Sequence, residues 1–160
     1  MVDLASIVDV VTATFAYYLP AYFVNSGLLF FYSTIEGIGI PVSIRWFGSR
    51  RNFNGLFFAI FCGGSVGFLF SNFYLGIFLG IGSWLGALGG SFLKRRLGIK
   101  PGGPAPVLDQ LDFIVGATLL GCLVEAPKVE YFLIIACATL FIHRAMNILA
   151  YKVGLKDVPY

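Results

Sequence analysis

The sequence predicts an all-α integral membrane protein, and composition and charge-free stretches carry that prediction. Hydrophobic residues make up 58% of the 160 residues and charged residues 12%, against roughly 45–50% and 25% in soluble domains. A soluble protein with so few charged residues could not keep so many apolar side chains away from water. A bilayer, in contrast, solvates apolar side chains. A soluble enzyme and a disordered chain are therefore excluded. A net charge of +3 is too small to indicate a nucleic-acid partner.

Two long stretches without Asp, Glu, Lys or Arg predict the first three membrane spans. They cover residues 10–35 and 52–93. A helix crosses the hydrocarbon in about 20 residues, so the first stretch holds one span, at about 10–32. The second stretch holds two spans, which we place at about 54–70 and 73–92.

Two further spans complete one polytopic membrane domain that takes in the whole chain. The next apolar run is too short to cross a bilayer, so the fourth helix is predicted at about 108–125. This start puts Asp109 and Asp112 into its first turns. The fifth helix is predicted at about 131–153 and carries His143 inside its length.

The basic residues predict the orientation of this five-helix bundle. Ten of the eleven Lys and Arg residues fall on one side, in the loops at about 34–53 and 94–107 and toward the C-terminus, while the other side has only Lys128. Loops rich in Lys and Arg face the cytoplasm. We therefore expect a multi-pass protein of the cell membrane, with the N-terminus outside and the C-terminus in the cytoplasm.

The segment 91–112 is the most informative part of the sequence, because cations, a Pro/Gly-rich stretch and two carboxylates follow one another. Its four cations are Lys94, Arg95, Arg96 and Lys100. Asp109 and Asp112 are three residues apart and share one helix face. A cation cluster also serves membrane orientation, and carboxylates suit a helix start. Magnesium, however, takes oxygen ligands from one or two carboxylates and from substrate phosphates, so the combination favours phosphoryl or nucleotidyl transfer.

Two more groups of polar residues lie on the same predicted side. Arg50, Arg51 and Asn52 come just before the second helix, and helix starts bind anions. His143 and Asn147 are four residues apart on the fifth helix, where ionisable side chains are functional candidates. A packing role for His143 stays open.

The central motif reads Ser91-x-x-Lys94-Arg95 followed by Asp109-x-x-Asp112. It resembles the S-x-x-K-R…D-x-x-D signature of CDP-diacylglycerol synthases, and nearly the whole chain resembles the related CDP-archaeol synthase family. The spacing of His143 and Asn147 and the final residues 154–160 are similar to that family as well. The loop before the second helix departs from the family's G-x-x-K-T-W-x-G, since Asn52 replaces a hydroxyl residue while Arg51 and Phe53 keep the charge and the aromatic ring.

The resemblance implies a cytidylyltransferase of archaeal phospholipid biosynthesis. It would join CTP to 2,3-di-O-geranylgeranyl-sn-glycerol 1-phosphate, an isoprenoid ether-lipid phosphate in the bilayer, and form CDP-archaeol and pyrophosphate. Catalysis would rest on Lys94, Asp109 and Asp112, with both carboxylates on Mg²⁺. The implied substrate-binding residues are Arg50, Arg51, Asn52, Arg95, Lys100, His143 and Asn147.

Two other classes of protein remain as alternatives. A small membrane transporter or channel subunit is expected to show repeated halves with broken helices, and no convincing repeat is present. A CDP-alcohol phosphatidyltransferase is expected to carry D-G-x-x-A-R, which this sequence lacks. The sequence leaves tail selectivity and oligomeric state open and allows a homodimer.

Overall fold

A computed structural model describes residues 3–34, 39–47, 51–70, 72–100 and 103–152. These ranges are helical, with one isolated bridge between Pro41 and Asn52 and no strand. The prediction of an all-α protein is confirmed. The helices in chain order are α1 (Leu4–Thr34), α2 (Ile44–Phe47), α3 (Asn54–Phe70), α4 (Phe73–Arg96), α5 (Leu108–Gly121) and α6 (Val129–Lys152).

Three helix ends differ from the predicted bounds. The first helix begins at Leu4 rather than near residue 10, because the Ile7 N–H already donates to the Asp3 carbonyl. The fourth long helix, α5, ends at Gly121 rather than near 125, ahead of Pro127, which disfavours helical backbone at the residue before it. The short helix α2 lies inside a predicted loop. Absence of charge predicts which residues can lie in hydrocarbon, whereas backbone hydrogen bonding decides where a helix begins and ends.

The third helix end that differs is the C-terminal end of α4. This helix continues to Arg96 instead of ending near residue 92. Cations in the last turn of a helix interact favourably with its dipole. Gly98, with φ 74°, follows the end of the helix, and its N–H donates to the Arg95 carbonyl. Glycine suits this left-handed position at a helix C-terminus. The cations of the central motif therefore lie on rigid helical backbone.

The bundle is organised around α4, which packs against α3 on one side and α5 on the other, with α1 across both α3 and α4. Glycines bring these helices close together. A Cβ at Gly82 would lie 2.7 Å from the Ala117 Cα, and one at Gly67 would lie 2.7 Å from the Gly76 Cα. The small-residue spacing of the sequence thus corresponds to backbone-to-backbone packing, as in transmembrane helix pairs.

The outer surface of the bundle is apolar. Phe57, Phe61, Phe68 and Phe141 are each at least 70% exposed, far more apolar exposure than a soluble monomer shows. Two described helices are long and apolar enough to cross a membrane, within Leu4–Tyr32 and Phe73–Arg96, and Asn54–Phe70 is a shorter apolar helix.

Candidate active site

The cationic end of α4 meets the start of α5 through an ion pair. The Lys94 Nζ donates to both carboxylate oxygens of Asp109, at 2.8 and 3.0 Å. The Lys94 side chain is 13% exposed and that of Asp109 is 41% exposed. Fifteen residues of sequence separate the two partners, so the turn between α4 and α5 brings them together.

Asp109 is also held by the segment that leads into α5. The Ala105 N–H donates to Asp109 Oδ2 at 2.9 Å, and the Leu108 N–H donates to the Pro106 carbonyl at 2.9 Å. Val107 lies between them with φ 70° and ψ −54°, a γ-turn conformation that is strained for a β-branched residue, at a cost of about 1–3 kcal/mol. This tight turn places Asp109 in the first turn of α5.

Asp112 lies one turn deeper, directly over the backbone of α4. A Cβ at Gly90 would lie 2.9 Å from both the Cβ and the Cγ of Asp112, and closer still to its Oδ2. Asp112 Oδ1 accepts from the Phe113 N–H at 2.6 Å. The charges of Arg51, Lys94 and Asp109 act on this carboxylate. Glycine at position 90 is therefore what allows Asp112 to occupy this half-buried place.

Arg51 approaches the cluster from the segment before α3. Its Nε donates to Ser91 Oγ at 3.3 Å, and its guanidinium carbon lies 5.8 Å from the ring centroid of Tyr32. Ser91 in turn donates to the Ala87 carbonyl at 2.8 Å. Side chains of α1 and α4 thus hold the Arg51 cation near Asp112.

Asn52 is 7% exposed, and its Oδ1 accepts from the Gly55 N–H at 3.2 Å. This contact, from a side chain to an N–H three residues on, is the geometry of a helix N-cap. The structure therefore gives Asn52 a part in starting α3.

Arg95 and Lys100 are joined through the backbone, because the Arg95 Nη2 donates to the Lys100 carbonyl at 3.0 Å. The Arg95 Nε and Nη1 are buried and have no hydrogen-bond partner among the described residues. The Lys100 side chain is exposed, as is that of Arg96, which lies 5.2 Å above the Phe92 ring. Unpaired guanidinium donors are suited to an anion.

The remaining predicted site residues are His143, Asn147 and Arg50. His143 packs against Phe113, with ring centroids 6.2 Å apart, so it contacts the residue next to Asp112 and is half-buried. Asn147 lies on α6, and its side chain is outside the described part of the structure. Arg50 lies outside the described residues.

The two carboxylates suit a divalent cation that prefers oxygen ligands. Asp112 Oδ2 accepts no hydrogen bond from any residue that the structure describes, and Asp109 has lone pairs to share beside its Lys94 contact. No cluster of three or more His, Cys, Asp or Glu occurs among the described residues. This donor set fits magnesium, which is typically bound by one or two carboxylates and substrate phosphates.

Three residues that support this site were not among the predicted site residues. They are Tyr32, Gly90 and Ser91, which hold Arg51 or make room for Asp112. Ser91 belongs to the central motif, and Gly90 is part of the small-residue spacing on α4, so both left a signal in the sequence. Tyr32 left none, because its role depends on how α1 crosses the bundle.

Comparison with known proteins gives consistent matches. A family model described as CarS-like, CDP-archaeol synthase, matches residues 64–160. The CDP-archaeol synthase of Methanocaldococcus jannaschii is 38% identical, over 91% of this chain and 95% of the relative. That of Thermofilum pendens is 36% identical over 89% of this chain and 78% of the relative. That of Methanothermobacter thermautotrophicus is 48% identical over 51% of this chain and 48% of the relative.

The fold also matches a solved structure, described as an intramembrane enzyme for archaeal membrane lipid biosynthesis. The TM-score is 0.71 at 29% sequence identity, over 84% of this chain and 92% of that chain.

An apolar helical bundle that ends in paired carboxylates and cations defines, together with this structural match, an intramembrane enzyme of lipid biosynthesis. Its chemistry is that of a nucleotidyltransferase. The chain belongs to the CDP-archaeol synthase family.

Proposed function

We propose that this enzyme transfers the cytidylyl group of CTP to an isoprenoid ether-lipid phosphate, 2,3-di-O-geranylgeranyl-sn-glycerol 1-phosphate. An oxygen of the lipid phosphate attacks the α-phosphorus of CTP, the bond to the β-phosphate oxygen breaks, and CDP-archaeol and pyrophosphate leave. The observation that carries the proposal is the convergence of Lys94, Asp109, Asp112 and Arg51 at one end of an apolar bundle. The relatives, which are described as CDP-archaeol synthases, support the proposal.

The lipid phosphate needs little activation, because a phosphate monoester is already anionic at neutral pH. The chain's task is then to position two anions and to neutralise their charge. We assign the CTP phosphates to Lys94 and to the unpaired donors of Arg95. Arg51, which contacts Ser91 and Tyr32, is assigned to the nucleotide or to the lipid phosphate. Lys100, Arg50, His143 and Asn147 remain predicted substrate-binding residues.

Asp109 and Asp112 are assigned to magnesium. When bound, the metal supplies charge neutralisation of the triphosphate and of the departing pyrophosphate. Lys94 holds Asp109 in place through its two hydrogen bonds. Gly90 and the Phe113 N–H hold Asp112.

The same proposal includes the membrane arrangement predicted from the sequence. Five helices, α1 and α3 to α6, cross the bilayer, and the basic ends with the active site face the cytoplasm. The apolar exposed faces of α3 and α6 support this arrangement, as does the match to a solved structure described as an intramembrane enzyme. CTP would then arrive from the cytoplasm while the isoprenoid chains stay in the bilayer.

The reaction is tested with purified protein, CTP labelled in its α-phosphate, magnesium and the lipid phosphate. We expect label to enter the lipid product in step with pyrophosphate release. Asp112→Asn keeps side-chain volume but removes charge, and we expect turnover to fall at least about 100-fold, as for other preorganised electrostatic groups. Ser65→Ala, at an exposed position on α3, is the control.

Pyrophosphate release without the lipid, or lipid labelling without pyrophosphate, contradicts this reaction. Consumption of added CDP-lipid with release of CMP indicates the phosphatidyltransferase class instead. Parent-like turnover of Asp112→Asn at limiting magnesium removes this carboxylate from the site.

A further inference from the structure

An apolar groove of about 740 Å³ runs along the seam between α4 and α5. Leu85, Gly89 and Leu93 line it from α4, and Leu111, Val115 and Leu119 line it from α5. Asp112 is its only polar lining side chain among the described residues. The groove and the active site therefore share a wall at this carboxylate.

The groove has the length and the direction of a lipid chain. Its α5 wall extends from Val107 to Leu120, which is about 20 Å at 1.5 Å per residue and about two-thirds of the hydrocarbon thickness of a bilayer. It leads from the active site past Asp112 toward the other end of α4. A chain lying in it would keep its phosphate beside Lys94, Asp109 and Asp112.

Gly89 differs from the glycines beside it. A Cβ at Gly86 would lie 2.8 Å from the Asp112 carbonyl carbon, and one at Gly90 would collide with the Asp112 side chain. A Cβ at Gly89 meets nothing within 4 Å. Helix packing therefore does not require glycine at position 89, and glycine is unfavourable inside a helix. Because Gly89 has no side chain, the groove stays open at this position.

We propose that the α4–α5 groove holds one isoprenoid chain of the lipid phosphate, and that Gly89 sets the width that lets this chain pass. This inference rests on the proposed function and names the part of the site that binds the lipid chain. Because lipid tails in the bilayer are as apolar as the groove, chain burial supplies little affinity. The groove acts by positioning the phosphate for attack, and a misplacement of about 1 Å can cost about 100-fold in rate.

The first test compares two lipid phosphates, one with two geranylgeranyl chains and one with chains of four carbons, which are too short to extend along the groove. Gly89→Leu is expected to insert and to be at least as heat-stable as the parent, because leucine favours helix and its Cβ would meet no atom within 4 Å. We expect its kcat/KM for the long-chain substrate to fall about 10–100-fold. Its KM for CTP and its turnover of the short-chain substrate should stay parent-like. Ser65→Leu, on the exposed face of α3, is the matched control and should equal the parent with both substrates.

Equal turnover of both substrates by Gly89→Leu and the parent overturns the proposal, as does an equal loss with both substrates. The second test needs no turnover. In a chain whose three native cysteines are replaced by serine, Gly89→Cys is labelled with an apolar maleimide in detergent. The long-chain lipid phosphate should slow labelling at Cys introduced at position 89 at least about fivefold, while the short-chain one and Ser65→Cys should show no protection. Absence of protection by the long chain overturns the inference, whereas protection without CTP-dependent product contradicts the proposed function alone.

Discussion

At the scale of single residues, the structure adds most to the prediction for Lys94. The sequence alone allows it to be an orientation signal or a phosphate ligand. In the structure its Nζ is bound to both oxygens of Asp109 and its side chain is mostly buried. A side chain that serves membrane orientation alone has no need of either feature, and both features favour a role for Lys94 in the candidate site.

We predict that Lys94→Ala inserts normally and loses about 10–150-fold in kcat/KM for CTP, since charge-assisted hydrogen bonds contribute roughly 1.5–3 kcal/mol. Arg96→Ala is the matched control, because Arg96 is an exposed cation two residues away on the same helix end. Steady-state kinetics at fixed magnesium measure both. If the two variants lose activity equally, or neither loses any, the cations act through their summed charge.

Gly90 is the second residue with a testable positioning role. In Gly90→Ala the new Cβ would lie 2.9 Å from the Asp112 Cγ, so this carboxylate must move. We predict a fall in kcat/KM of at least about tenfold, with a higher magnesium requirement, and no further fall when the substitution is added to Asp112→Asn. Gly64→Ala, where the atoms nearest to a Cβ belong to the side chains of Ile77 and Phe73, should keep parent kinetics. Additive losses in the double variant would show that Gly90 serves general packing.

At the scale of elements, the pair α4 and α5 determines the site. Gly82 and Gly86 of α4 face Gly116 and the Asp112 backbone of α5, and a Cβ at Gly116 would lie 2.7 Å from the Gly86 Cα. Such an approach is possible only without side chains. It brings Asp112 of α5 against Gly90 of α4, at the candidate active site.

We predict that Gly82→Ala destabilises the protein by about 1–3 kcal/mol, because a methyl group inserted into this contact forces the helices apart. Gly64→Ala again provides the control, since it adds the same methyl group to a helix with flexible neighbours. Unfolding in detergent followed by circular dichroism measures the difference. A parent-like unfolding midpoint for Gly82→Ala would contradict this prediction, because it would show that the α4–α5 contact accepts the methyl group without loss of stability.

The glycine spacing of α4 was visible in the sequence and predicted helix packing in general terms. Which glycine faces which partner was not predictable, because it depends on the rotation of each helix about its axis. For the same reason the sequence could not separate Gly90, which accommodates Asp112, from Gly89, which faces the groove.

At the scale of the whole molecule, the distribution of basic residues predicts the orientation in the membrane. Ten of eleven lie on one predicted side and Lys128 alone on the other. In a chain with its three native cysteines replaced by serine, we predict that Lys128→Cys reacts with an impermeant maleimide from outside intact cells. Leu97→Cys, exposed beside the cationic end of α4, should react only after permeabilisation. Reaction of both from the same side would contradict the five-helix arrangement.

The helical class, the approximate place of each long helix and the residue types of the candidate site could all be predicted from the sequence. Hydropathy and charge are properties of composition along the chain, and the S-x-x-K-R and D-x-x-D spacings are local. The tertiary structure decided which of these residues meet. Lys94 contacts Asp109 across fifteen residues, and Arg51 is held by Tyr32 and Ser91 from two other helices. Such contacts depend on helix rotation and close approach, which arise from side-chain volumes on several helices at once and leave no local pattern in the sequence.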